Sequence, residues 1–166
     1  MRVVFEDQIL WTRMMATVVL RDLKGNEAYK DRLLTNHESF ERILAPHYKD
    51  GAEKLGALLE EHIQITEKVF VQLGAGDTLG TVLPYWYANA DDIAIVMSTL
   101  NPDHWPATES QLFWRTYLDT TLRGAFAQLK GDGRSDVAEQ DALHLHALKL
   151  ADFMSDGILR QFPLPN

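Results

Sequence analysis

The chain has 166 residues, 46% of them hydrophobic and 24% charged, with 16 Lys and Arg against 24 Asp and Glu, a formal charge of −8 and no cysteine. That length fits one domain with one buried core, and it is too short for a two-domain dinucleotide-binding dehydrogenase or a barrel enzyme of about 250 residues. The acidic balance argues against sequence-independent nucleic-acid binding, and the missing cysteine excludes disulfides, thiolate zinc or iron–sulfur sites and a cysteine nucleophile.

The apolar residues recur at three- and four-residue spacing along almost the whole chain, the signature of amphipathic helices. A first helix is expected over residues 6–23, with Gly25 just past its end. Glu6, Asp7 and Arg13 interrupt any apolar run that could serve as a signal peptide, and no window reaches the roughly 18 apolar residues of a membrane span. The expectation is therefore a cytoplasmic protein without membrane contact. A short helix follows over residues 37–44, with Asn36 as its cap and Pro46 as its stop. A long helix over residues 51–73 has an Asp50/Glu53 capping box and Gly74 at its end. The next covers residues 78–100, where Pro84 either starts the regular helix or kinks it. Two more span residues 109–129, with Thr108 and Gln111 as the box, and residues 137–160, with Asp136 and Glu139. Loose segments remain at residues 74–80, 101–106, 131–134 and 163–166, and no alternating segment is long enough for a strand. The expected fold is all-α: an up-and-down antiparallel bundle of four long helices, completed by the N-terminal helix and the short one.

Each core-facing stripe carries a polar residue near mid-helix. Arg13, His62, Asn89, Asp92, Tyr117 and His144 would fall at similar heights if the helices align at their midpoints. The stripe of the last helix is read as Val137, Asp141, His144, Leu148, Ala151, Asp152, Ser155 and Ile158. Buried polar groups cost several kcal/mol unless paired, so such a layer must close on itself or hold something.

In the first reading the layer is a hydrogen-bonded network that fixes helix register, with Arg13 paired to Asp92 or Asp152 and His62 bonded to Asn89 or Tyr117. It expects no cavity larger than a water or two. In the second it holds a metal ion or a small anion. Asp141 and His144 share a helix face at i,i+3 spacing, but the second such pair that a di-metal carboxylate bundle needs is missing. A mononuclear zinc or iron site would use His62, His144 and either Asp92 or Asp141. Arg13, with Asn89, Tyr117 and Asp152 around it, would instead favour an anionic small ligand. An enzyme would rest on His62 and His144 as acid–base groups alone. His146 faces away from His144, and His37, His47 and His104 have no sequence-local ligand company. Phosphate-binding glycine loops, the serine-nucleophile elbow and the His-Glu-x-x-His helix are all missing. Tyr85-Trp86-Tyr87 reads as packing sooner than as a stacking platform. Trp105, Trp114 or Phe153, if exposed, would offer a homodimer face.

Several motifs resemble a group of small all-helical bacterial proteins common in bacilli. They are Trp11-Thr12-Arg13, Glu61-His62, the string from Trp86 through Ala94, Asn101-Pro102, Asp141-x-x-His144, Ala151-Asp152, Gly157-Ile158 and Gln161-Phe162-Pro163. Members of that group carry labels such as acetylglutamate kinase or glycosyltransferase. An amino-acid kinase needs an α/β sheet and a phosphate loop, which this chain does not offer. In that group a His often stands at the place of Tyr117, in a His-Leu-x-x-Thr context, so a metal ligand there would here be replaced by a weaker one.

Overall fold

A computed structural model describes residues 1–163; the end of the 163–166 tail, residues 164–166, lies outside the described residues. The described residues form six α-helices and no strand: α1 (Arg2–Leu20), α2 (Asn26–Tyr48), α3 (Asp50–Ala75), α4 (Val82–Leu100), α5 (Ala107–Lys130) and α6 (Gly133–Gln161). The chain is all-α, as expected.

Several boundaries depart from the sequence reading, α1 (2–20 against 6–23) and the start of α4 (82 against 78) among them, and three further departures have identifiable reasons. The segment expected to hold a short helix is the 23-residue α2. Its buried stripe is Leu33, Asn36, Phe40, Leu44 and Tyr48, so a polar residue occupies one core position and hides the periodicity. Asn36 is therefore not a cap. It sits mid-helix, and its side-chain amide donates to the Val4 carbonyl and to Gln8 Oε1, both at 3.0 Å, tying α2 to α1. Pro46 lies in the last turn of α2, and the helix runs two residues past it.

The second departure concerns α6, which is capped by Asp132, whose carboxylate accepts from the Ser135 N–H at 3.1 Å. Asp136 lies inside the helix. The third is the end of α3, which is closed by Gly76 at φ 75°, not by Gly74. A left-handed residue there lets Asp77 N–H reach back to the Gln72 carbonyl. Pro84 falls in the first turn of α4, where its missing N–H costs no helical bond.

Consecutive helices pack side by side, and α1 packs against α2, α3, α5 and α6. α1 thus borders four other helices. Its buried residues Val4, Phe5, Ile9, Thr12, Met15, Ala16, Val18 and Leu20 face several neighbours at once. Fully buried Trp86, Trp105, Phe5, Phe70 and Met15 supply the largest pieces of the core. Trp105 and Trp114 are buried within the chain and Phe153 is half-buried, so the two tryptophans offer no dimer face.

Candidate functional site

The interior polar residues do not form one layer. They separate into a cluster around His62 and an ion pair at Arg13.

His62 is 3% exposed, on the buried face of α3. Its Nδ1 lies 2.8 Å from Asn89 Oδ1 on α4. Asn89 Nδ2 donates to the Leu58 carbonyl at 3.1 Å and to the Glu61 carboxylate at 3.3 Å. Both of those are acceptors only, so the amide oxygen must face His62 and Nδ1 must carry the proton. The neutral ring then keeps a bare lone pair on Nε2. Burial pushes the imidazole pKa down to about 4, with the Asn89 bond opposing the shift in part. Trp86 stacks on the ring at 5.9 Å between centroids, and Trp114 meets it edge-on. Thr66 donates back to the His62 carbonyl and accepts from Trp86 Nε1 at 2.9 Å. Of the partners expected for His62, Asn89 is found.

The other side of His62 borders a small enclosed cavity lined by Phe5 and Gln8 of α1, His37 and Phe40 of α2, Leu59 and Ile63 of α3, and Trp114 and Tyr117 of α5. It has room for about one water molecule. Tyr117 is 3% exposed and its hydroxyl has no hydrogen-bond partner. Burial pushes its pKa up to about 12. Thr12 stands close enough to favour the ionised form slightly, without reaching hydrogen-bond geometry. His37 Nδ1 is also buried and unpartnered, and its Nε2 is 4.0 Å from Glu60 Oε2.

Arg13 belongs elsewhere. Its guanidinium holds both oxygens of Asp136 at 2.7 Å and donates to Gln140 at 3.3 Å, bracing α1 against α6. The expected partners are not used: Asp92 is exposed on α4, and Asp152 is paired at the surface with Arg2, at 2.6 and 2.7 Å. The Arg2 pairing holds the Asp152 carboxyl below its ordinary range. Neither acid is therefore inside near Arg13.

The residues expected to hold a metal are dispersed. His62 is in the core, while His144 is exposed on α6 with its Nε2 3.6 Å from Glu6, and Asp141 and Asp92 are exposed. The reason is phase. The buried stripe of α6 is Leu143, Ala147, Leu150, Ala151, Met154, Gly157 and Ile158, one residue out of step with the expected one at its start. That rotation of about 100° sends Asp141 and His144 outward. Among the described residues no three His, Cys, Asp or Glu side chains are grouped as metal ligands. His146 is an interhelical residue, bonded through Nε2 to the Phe113 carbonyl at 2.8 Å.

Sequence reasoning missed His37 and Gln8. Extending α2 back through residue 26 would have placed His37 next to the stripe of Leu33, Asn36 and Phe40, and Gln8 follows Phe5 at i,i+3 on α1. Chemically the cavity offers two imidazoles, an amide and a phenol. No cation faces it, and the one arginine expected here is occupied by Asp136. An anion therefore finds no charged partner in this cavity. A histidine that stays neutral down to pH 4 is a weak general base at neutral pH. Comparison with protein-family models, curated proteins and solved structures finds no match to the chain.

Proposed function

We propose that the chain is a non-catalytic helical-bundle protein with a structural or interaction role, in which the buried polar residues fix which helix faces meet. One observation carries this reading. Glu61, Asn89 and His62 form a continuous hydrogen-bonded relay between α3 and α4, and Thr66 with Trp86 adds a second link a turn away. A register slip of α4 on α3 would leave several of these groups buried and unpaired, at about 1–3 kcal/mol each. In this reading α3 to α6 form the up-and-down core, with α1 as its inner wall and α2 closing one side. An amino-acid-kinase activity does not fit, since the described residues hold no strand and so lack the sheet that chemistry is built on.

The test replaces both relay members with leucine. The double variant His62→Leu, Asn89→Leu is expected to keep its helix content but lose a single sharp unfolding transition and a dispersed amide spectrum. A double variant as uniquely folded as the parent would overturn the register role.

A second reading, a guest held inside the bundle, is favoured by the unpartnered Tyr117 hydroxyl and His37 Nδ1 at one cavity. If that guest is zinc or iron, protein purified without chelator will contain it, and either metal will raise the melting temperature.

A further inference from the structure

From the cavity between α1, α2, α3 and α5, we infer a built site for one buried water molecule that hydrogen-bonds to His62, His37 and Tyr117 together. The inference rests on the structural reading above and extends it to a hydrated joint between three helices.

The donor and acceptor inventory makes the argument. His62 has its Nδ1 proton committed to Asn89, so its free nitrogen can only accept. His37 leaves Nδ1 buried without a partner, while its other nitrogen lies 4.0 Å from the Glu60 carboxylate, on the outer side, beyond hydrogen-bond range. In the Nε2–H tautomer, the one a nearby carboxylate favours, Nδ1 is also an acceptor. The Tyr117 hydroxyl, 3% exposed and unpartnered, is an unused donor at the same cavity. Two acceptors and one donor around a space of about one water match a molecule that donates twice and accepts once. A metal ion fits the set poorly. No carboxylate lines the cavity, so a double positive charge would be buried against neutral groups. The water would join α2, α3 and α5, which no direct side-chain hydrogen bond links at this point.

Two measurements on the full chain test the inference. A crystal structure at high resolution is expected to show one ordered water about 2.7–3.2 Å from His62 Nε2, His37 Nδ1 and Tyr117 Oη. An empty cavity overturns it, and so does a metal ion with bonds near 2.0–2.1 Å and an anomalous signal. The second measurement is the melting temperature of Tyr117→Phe. If water satisfies the hydroxyl, removing it strands the water and lowers the melting temperature by several degrees. If the hydroxyl is buried dry, removing it relieves an unmet desolvation cost and the melting temperature rises or stays. Tyr85→Phe, at an exposed tyrosine, is the unchanged control. These outcomes are separate from the fate of the His62, Asn89 double variant, which tests register alone.

Discussion

Lowering the pH from 7 to 4 should destabilise this protein through one buried side chain. In the unfolded chain His62 takes up a proton near its ordinary pKa of 6.5, whereas burial holds the folded value at about 4. Between those two values the unfolded state binds more protons than the folded one, so stability falls as the pH falls. The contribution is fully present above about 6.5 and lost progressively toward 4. At about 1.4 kcal/mol per pH unit, a gap of about 2.5 units amounts to about 3.5 kcal/mol, of which about 3 kcal/mol is lost by pH 4, where the folded His62 is half protonated. For a domain of this size that corresponds to roughly 6–12 °C in melting temperature.

The assay is urea unfolding of the parent and of His62→Gln at half-unit steps from pH 7.5 to 4, each curve referred to its own value at pH 7. His146 also has a lowered pKa, from its burial, but it is present in both proteins and cancels. Asp132 and Asp152 have lowered pKa values from their Ser135 and Arg2 hydrogen bonds. Their contributions are lost below the usual carboxylate range and again affect both proteins. The parent is expected to lose about 3 kcal/mol more than the variant across the window. Parallel curves would mean instead that His62 is free to protonate when folded.

Three further outcomes follow from packing and charge. A Cβ built at Gly157 would lie 2.1 Å from Nε1 of the fully buried Trp105, which donates to the Phe153 carbonyl. Gly157→Ala is therefore expected to destabilise by about 2 kcal/mol in urea unfolding despite the better helix propensity of alanine. Gly124, where the nearest atom to an added Cβ is 3.7 Å away, is the contrast: Gly124→Ala is expected to stabilise by about 0.5–1 kcal/mol. A double-mutant cycle on Arg13 and Asp136, whose side chains are 29% and 16% exposed, should give a coupling of about 1 kcal/mol, while the exposed Arg2 and Asp152 pair should show none by the same measurement.

What the sequence made legible, and what it hid, divides along physical lines. The helical class and the approximate spans of α3, α4 and α5 were readable because their stripes are strongly apolar, as in Leu55, Leu59, Ile63, Thr66, Val69, Phe70 and Leu73 of α3. The His62 to Asn89 bond was anticipated because both residues sit mid-stripe on neighbouring helices. The start of α2 was hidden because Asn36, a good cap residue, fills a core position instead. In α6 the weakly amphipathic sequence allowed two phases a residue apart. Val137, which is exposed, headed the wrong one, and with it came the inward placement of Asp141, His144 and Asp152. Asp136 satisfied a capping pattern three residues before Glu139, yet its carboxylate meets Arg13 across 123 positions of sequence. Local patterns cannot rank such a distant pairing against a nearby cap. The same limit explains His37, whose company comes from three other helices.

A neutral His62, protonated on Nδ1 and held by Asn89, organises the interior of this protein. The most direct test is long-range proton–nitrogen NMR of the imidazole rings through a pH titration. His62 is expected as the Nδ1–H tautomer, unchanged from pH 7 to about 5, with protonation only near 4. An Nε2–H tautomer, or an ordinary titration near 6.5, would contradict it.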